Sequence, residues 1–138
     1  MAHTNDLGKW NASTINNSKI LDMAANDQGV LVAIGTDNAW FSHDKGVTWR
    51  ESKKEPCIDS CPYFRPTKIY SKNGLFFAPS RGNFPWASLD GSIWIPPTTR
   101  SPDRWEGDSL AYSDDVIVAL GIGSNTPGAY YGFSTDNG

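Results

Sequence analysis

The hydrophobic and polar positions of the chain follow the same pattern three times. In each case a tight polar turn precedes a short apolar run that ends in alanine. The runs occupy residues 30–33, 75–78 and 116–119. The turns before them are Asn26-Asp27, Lys72-Asn73-Gly74 and Asp114-Asp115. Short apolar segments bounded by turn residues are typical of β-strands, so the pattern predicts repeated hairpins in an all-β protein.

A polar stretch follows each pair of predicted strands. Residues 42–49 read Ser-His-Asp-Lys-Gly-Val-Thr-Trp, residues 88–94 read Ser-Leu-Asp-Gly-Ser-Ile-Trp, and residues 134–138 read Ser-Thr-Asp-Asn-Gly. Their serines stand at positions 42, 88 and 134, a constant spacing of 46 residues. A fixed period of this size indicates a repeat architecture, in which each period is one structural unit.

The residue types in this stretch suit a turn that stabilises itself. An aspartate accepts hydrogen bonds from the backbone amides that follow it, and glycine supplies the positive φ of a tight turn. A tryptophan at the start of the next strand buries a large area against its neighbours. The residues predicted to have this structural role are Ser42, Asp44, Gly46, Thr48, Trp49, Ser88, Asp90, Gly91, Trp94, Ser134, Asp136 and Gly138.

These stretches resemble the Asp-box (BNR) repeat, S-x-D-x-G-x-T-W, of sialidase-like β-propellers. The copy at 88–94 is similar to the S-x-D-G-x-x-W form found in phage and bacterial repeat proteins. The resemblance implies four-stranded antiparallel blades in one domain over residues 1–138. The expected blades are residues 15–53, 63–98 and 105–138. The expected strands are residues 19–25, 29–35, 38–43 and 47–53 in the first blade, 67–71, 74–79, 84–88 and 93–97 in the second, and 108–113, 115–121 and 128–134 in the third.

The third repeat lacks a fourth strand, whereas residues 9–14 read as a fourth strand that belongs to no blade in the chain. An open sheet edge is a liability that proteins pair or cover. We therefore expect a homo-oligomer, with a dimer favoured, in which residues 9–14 of one copy complete the last blade of the next. Two copies would close a six-bladed ring. The alternative is that the chain is a piece of a longer propeller.

Composition and charge narrow the classes of partner. The formal net charge of −3 and the isoelectric point near 5.2 give no electrostatic argument for nucleic acid. No apolar run approaches the roughly 20 residues of a membrane-spanning helix, and the polar N-terminus does not read as a signal peptide. Cys57 and Cys61 lack further ligands at metal-binding spacing, so we expect free or locally paired loop thiols, no metal and no cofactor.

A propeller places its second-to-third and fourth-to-first connections on one face. Here those connections are residues 53–66, 80–85, 98–107 and 122–128, which predicts one surface for binding. Aromatic rings beside arginine and amide donors suit a glycan or a protein receptor. The candidate binding residues are Tyr63, Phe64, Arg65, Arg81, Phe84, Arg100, Arg104, Trp105 and Asn125.

An enzymatic alternative rests on Phe64-Arg65-Pro66, which resembles part of the F-R-I-P motif of sialidases. The resemblance implies that Arg65 binds a substrate carboxylate, but the isoleucine of the motif is absent. Glutamates are few, namely Glu51, Glu55 and Glu106. We therefore expect a non-enzymatic binding or structural module, on a virion or cell surface, that attaches to a receptor or glycan. A sialidase-like glycosidase and an intracellular assembly-factor propeller are the alternatives.

Overall fold

A computed structural model describes residues 8, 12, 14–15, 18–57, 62–80, 83–98, 105–123 and 129–135. These residues form twelve β-strands, and none of them is helical. Most of the strands belong to antiparallel sheets of three or four strands, which follow one another in chain order. The all-β prediction is therefore confirmed. The expected strand at residues 9–14 lies largely outside the described residues.

The first repeat forms sheet 1. Its strands are β1 (Asp22–Ala25), β2 (Leu31–Ile34), β3 (Ala39–Ser42) and β4 (Arg50–Glu51), paired antiparallel in that order. Asn26 stabilises the first turn, because its Oδ1 accepts hydrogen bonds from the backbone N–H of Gln28 and of Val30. All four strands lie within the ranges expected from the sequence, although each is shorter.

The second repeat forms sheet 2. Its strands β6 (Tyr70–Lys72), β7 (Leu75–Ser80) and β8 (Asn83–Ser88) are antiparallel, and β9 (Ile93–Trp94) follows. The fourth position of this sheet is reduced to a bridge in which Ala87 and Ile95 exchange two backbone hydrogen bonds. The expectation of a regular strand over residues 93–97 is thus wrong in extent.

The largest departure from the expected pattern is β5 (Lys53–Lys54). The sequence predicts one strand over residues 47–53, but the chain leaves sheet 1 after β4 and pairs parallel with β9 of the second repeat. Ser52 is the point of transfer. Its N–H donates to Ala39 O in sheet 1, and its hydroxyl donates to Gly91 O, 2.6 Å away, in the second repeat. This crossover hydrogen-bonds the outer edges of the two repeats to each other.

The third repeat forms sheet 3, in which β10 (Trp105–Tyr112), β11 (Ile117–Gly123) and β12 (Ala129–Ser134) are antiparallel. Strand β10 begins three residues before the predicted start, because Trp105 and Glu106 pair with Gly123 and Ile122 across a register shift. The residues pairing with the repeated serines are Leu31, Phe76 and Ile117, so the three sheets share one register.

The main core lies between sheets 1 and 2. Val32, Ile34 and Ala39 pack against the side chains that sheet 2 and its flanking loops contribute, namely Phe64, Ile69, Phe76, Ala78, Trp86 and Trp94. Phe64 lies edge-on to Trp86, with ring centroids 5.3 Å apart. The indole Nε1 atoms of Trp86 and Trp94 have no hydrogen-bond partner among the described residues. These rings therefore stabilise the core through buried area and ring packing.

Sheet 3 packs on the opposite face of sheet 2. The Tyr112 hydroxyl donates a hydrogen bond to Ser71 O across this interface, 2.9 Å away. Lys72 is buried with its Nζ 5.7 Å from the centroid of the Tyr112 ring, and that Nζ has no hydrogen-bond partner among the described residues. The Phe84 ring fills the space above Gly132, so closely that a Cβ at position 132 would overlap it. Sheet 2 is therefore covered on both faces.

Gly91 lies where the first two repeats approach each other closely. Its φ of +81° favours glycine, and a Cβ there would overlap Val32 Cγ2 and lie 3.0 Å from Phe41 Cβ. Gly29 has nearly the same φ, +80°, but a Cβ there would meet nothing within 4 Å. We expect Gly29→Ala to lower the free energy of unfolding by about 1 kcal/mol through backbone strain. Gly91→Ala should cost a further ~1–3 kcal/mol through overpacking.

Urea denaturation of both variants at one protein concentration, followed by tryptophan fluorescence, measures this difference. Equal losses for Gly91→Ala and Gly29→Ala would show that the contact between Gly91 and Val32 relaxes without cost.

The buried ammonium of Lys72 gives a second prediction. A buried charge without hydrogen-bond partners carries a desolvation cost that its contact with one aromatic ring only partly offsets. Lys72→Met keeps the length of the side chain and removes the charge, so we expect the free energy of unfolding to rise by about 1 kcal/mol. Lys68→Met, at an exposed position in the same repeat, is the control and should change it by less than ~0.5 kcal/mol. A loss of stability in Lys72→Met alone would contradict the prediction.

Candidate functional site

The repeated polar turns have the hydrogen bonds that their residues suggest. In the first copy the Ser42 hydroxyl donates to Asp44 Oδ1, 2.7 Å away, and accepts from the Gly46 N–H. Asp44 accepts from the backbone N–H and from the hydroxyl of Thr48. The Trp49 indole donates to Gly46 O, 3.1 Å away. The turn is therefore closed by its own side chains.

The second copy builds the same turn from different residues. The Ser88 hydroxyl accepts from the Gly91 N–H and donates to Ile93 O. The sequence has no threonine here, and Ser92 takes its place, because its N–H and its hydroxyl both donate to Asp90 Oδ1. Trp94 differs from Trp49 in that it is fully buried in the core, in contact with Phe64.

The electrostatics of both turns favour ionised aspartates. Hydrogen bonds from the Thr48 hydroxyl, the Thr48 N–H and the Ser42 hydroxyl lower the pKa of Asp44 from its usual 3.8 to about 2. Burial raises the pKa of Asp90, but the hydrogen bonds from Ser92 and the charge of nearby His43 outweigh burial and leave it lowered. In the third copy, Ser134 of β12 pairs with Ile117 of β11, whereas Asp136 and Gly138 lie outside the described residues.

The exposed aromatic and charged side chains suited to binding a ligand lie in the Tyr63–Arg65 segment. This segment is at the ends of the strands opposite to the Asp44 and Asp90 turns. The Ser80 hydroxyl anchors this segment twice, since it donates to Tyr63 O and accepts from the Arg65 N–H, both at 2.7 Å. Phe64, between them, is buried against Trp86 and Trp94. The expectation that Phe64 belongs to a binding surface is therefore wrong: its side chain anchors the loop to the core.

The two flanking side chains are exposed and contact each other. Tyr63 is 73% exposed, and the Arg65 guanidinium carbon lies 5.1 Å from the centroid of its ring. Arg65 Nε is 3.6 Å from Asp37 Oδ1, in the turn between β2 and β3. Lys54 Nζ donates to Asp37 O and lies 5.1 Å from the Phe64 ring centroid. We call Asp37, Lys54, Tyr63 and Arg65 the Tyr63–Arg65 cluster.

Two of the candidate binding residues, Tyr63 and Arg65, lie together in this cluster. It joins a second-to-third connection, which carries Asp37, to the connection after the first repeat, which carries Tyr63 and Arg65. Phe84 is half-buried and packs on sheet 3, so it has a structural contact. Trp105 is the first residue of β10 rather than part of a loop. Arg81, Arg100, Arg104 and Asn125 lie outside the described residues.

Sequence reasoning missed Asp37 and Lys54. Asp37 lies in a turn of only a few residues between β2 and β3, whereas length and composition favour the long connections. Lys54 belongs to an exposed Lys53-Lys54 pair whose place is set by the parallel pairing of β5 with β9. The topology contained the signal for Asp37, because the turn after β2 leaves the sheet at the same end as residues 53–66.

Three further features concern metals, thiols and membranes. Within the described part of the chain, no group of three or more His, Cys, Asp or Glu residues has the arrangement of a metal site. Cys57 is disulfide-bonded, and Cys61, the other cysteine of the sequence, lies outside the described residues. The residues that the structure describes include no helix with the length and apolar character needed to cross a bilayer.

No family model matches the chain, and no curated protein matches it either.

The lowered pKa of Asp44 predicts how stability depends on pH. A carboxylate whose pKa in the folded protein lies below its usual value stabilises the fold at pH above 3.8 and loses that contribution as the pH falls towards 2. We expect the thermal midpoint of the wild type to fall over this pH interval, and Asp44→Asn to show a shallower fall. Asp115→Asn removes a charge from another exposed turn and should keep the wild-type slope. Identical slopes for wild type and Asp44→Asn would contradict the assignment.

Proposed function

We propose that the protein is a non-enzymatic Asp-box β-propeller module that binds an acidic glycan on a receptor through the Tyr63–Arg65 cluster, as a component of a virion or cell surface. The single observation that carries the glycan assignment is the exposed, stacked pair of Tyr63 and Arg65, whose backbone the Ser80 hydroxyl anchors on both sides. The self-closing turns around Asp44 and Asp90 support the Asp-box part of the proposal.

The composition of the cluster suits a sugar that carries a carboxylate. An exposed aromatic face stacks on the apolar side of a sugar ring, and arginine forms bidentate hydrogen bonds with a carboxylate. Lys54 adds a second cation beside Arg65, and Asp37 supplies an acceptor for sugar hydroxyls. Because Phe64 packs in the core, the backbone between Tyr63 and Arg65 is ordered before binding, which reduces the entropic cost.

The same geometry favours binding over hydrolysis. Glycoside hydrolysis commonly uses two carboxyl groups on either side of the scissile bond, about 5–9.5 Å apart. Among the described contacts of the cluster, Asp37 is the one carboxylate. Its ion pair with Arg65 lies at the surface, so it contributes little to stability and leaves the guanidinium available to a ligand.

The proposal also includes a homo-oligomer, with a dimer of six blades favoured and residues 9–14 exchanged between copies. An oligomer of this kind presents the cluster more than once. Linked sites increase the apparent affinity for a surface that carries many copies of a glycan, without any new contact.

Binding to an array of sialylated, uronic-acid-containing and neutral glycans, followed by calorimetry with the best ligand, tests the proposal. We expect acidic glycans to bind and the neutral analogues to bind at least tenfold more weakly. Tyr63→Ala and Arg65→Ala should each weaken binding by about tenfold or more, equivalent to ~1.4 kcal/mol. Arg50→Ala removes an exposed arginine from strand β4, outside the cluster, and should bind like the wild type.

Two outcomes would contradict the proposal. One is glycan binding that Arg65→Ala and Arg50→Ala change equally. The other is release of free sugar from a sialylated substrate that Arg65→Ala abolishes, because this result would favour the glycosidase alternative.

A further inference from the structure

Asp37 is the acidic side chain of the Tyr63–Arg65 cluster, and it contacts both cations of the cluster. Its Oδ1 lies 3.6 Å from Arg65 Nε, and its backbone carbonyl accepts a hydrogen bond from Lys54 Nζ, 2.5 Å away. The side chains of Asp37 and Arg65 are both more than half exposed. The carboxylate therefore lies at the surface, beside the groups that would meet a ligand.

The contact between Asp37 and Arg65 leaves the guanidinium able to bind a second anion. A separation of 3.6 Å makes an ion pair but is too long for a hydrogen bond, and the contact is to Nε rather than to the terminal nitrogens. The two terminal nitrogens can therefore donate parallel hydrogen bonds to a ligand carboxylate while Asp37 stays in place.

The formal charges of the cluster sum to one positive unit, since Arg65 and Lys54 are cations and Asp37 is an anion. Lys53 and Glu55 flank Lys54 in the chain and have opposite charges, and strand alternation directs both to the other side of β5. A sugar with one carboxylate therefore neutralises the cluster. A second anionic group on that sugar would find no positive charge left to balance it, and Asp37 would repel it.

The distance between the two anions sets the strength of this repulsion. A carboxylate bound to the terminal nitrogens of Arg65 would lie roughly 7–8 Å from the Asp37 carboxylate, given the width of a guanidinium and the length of one hydrogen bond. That distance is within the Debye length of about 8 Å at physiological ionic strength. Two unit charges so placed in water change an affinity by about twofold to threefold. A sulfate on the side of the sugar that faces Asp37 would lie closer and be repelled more strongly.

We propose that Asp37 restricts the Tyr63–Arg65 cluster to sugars that carry a single negative charge, so that carboxylated glycans bind and their sulfated analogues are rejected. This inference rests on the glycan binding proposed above, and it names the class of glycan and the residue that selects it. The hydrogen bond from Lys54 to the Asp37 carbonyl ties the turn after β2 to β5, which fixes the position from which the carboxylate acts.

Pairs of glycans that differ only in sulfate test the proposal. One pair is sialyl-N-acetyllactosamine with and without a sulfate on its glucosamine, and the other is a chondroitin oligosaccharide with and without sulfate. Calorimetry at low salt gives the ratio of the two dissociation constants in each pair. We expect the wild type to bind the sulfated member about threefold more weakly or worse. Asp37→Asn keeps a hydrogen-bond acceptor but loses the charge, so it should bind both members equally or favour the sulfated one.

Two further variants separate charge from shape. Asp37→Glu keeps the carboxylate and should keep the wild-type preference. Asp27→Asn removes the same charge from an exposed turn at the other end of sheet 1 and should leave the ratio of each pair unchanged. A preference that comes from charge also shrinks when the salt concentration is raised, because counterions screen exposed charges. A wild-type preference that high salt leaves unchanged would be steric and would overturn the proposal.

The remaining outcomes separate this inference from the function on which it rests. A wild type that binds no acidic glycan overturns the proposed function and this inference with it. A wild type that binds the unsulfated glycans, with a preference that folded Asp37→Asn retains, overturns the inference alone. Loss of both members of a pair in folded Asp37→Asn also overturns it, because Asp37 would then hold the ligand instead of excluding charge. Near-ultraviolet circular dichroism shows that the variants are folded, and the salt dependence of the wild type needs no substitution.

Discussion

The close packing of sheet 1 on sheet 2 is the constraint on which the rest of the structure depends. Val32 can reach the second repeat only because position 91 has no side chain, and Gly91 in turn has its place because the Ser88 hydroxyl accepts its N–H. The same contact brings Phe64 between Trp86 and Trp94, which anchors the loop that presents Tyr63 and Arg65. The exposed Tyr63–Arg65 cluster thus depends on the hydrophobic interface between sheets 1 and 2, and that interface depends on the polar turn around Gly91. A looser interface between sheets 1 and 2 would make the Tyr63–Arg65 cluster less ordered, although the interface and the cluster share no surface.

The parts of the fold that the sequence predicts are those decided by neighbours in the chain. The apolar runs and polar turns locate β2, β7 and β11, and the spacing of Ser42, Ser88 and Ser134 predicts a common register. The turn hydrogen bonds around Asp44 are local in the same sense, because donor and acceptor lie within four residues of each other. Hydrogen bonds between such near neighbours can be predicted from the residue types alone, because they depend little on the rest of the molecule.

The missed features depend on pairings between distant residues. Lys53 and Lys54 are exposed and have no alternation, so nothing local indicates that they pair with Ile93 and Trp94. Phe64 stands in a loop rich in proline and cysteine, and its burial depends on two tryptophans more than twenty residues away. The cluster was therefore only half predictable: Tyr63 and Arg65 were candidates from composition, whereas Asp37 and Lys54 join them only through the tertiary fold.

The crossover at Ser52 has a consequence for how the molecule opens. Because β5 and β9 are hydrogen-bonded to each other, the outer edge of sheet 1 cannot separate from sheet 2 without breaking the hydrogen bonds between these two strands. Sheet 3, within the described residues, meets sheet 2 through side chains and the bond from Tyr112 to Ser71 O. We therefore expect sheets 1 and 2 to unfold as one cooperative unit and sheet 3 to form a second, less protected one. Amide protons of β11 would then exchange with solvent sooner than those of β2 and β7.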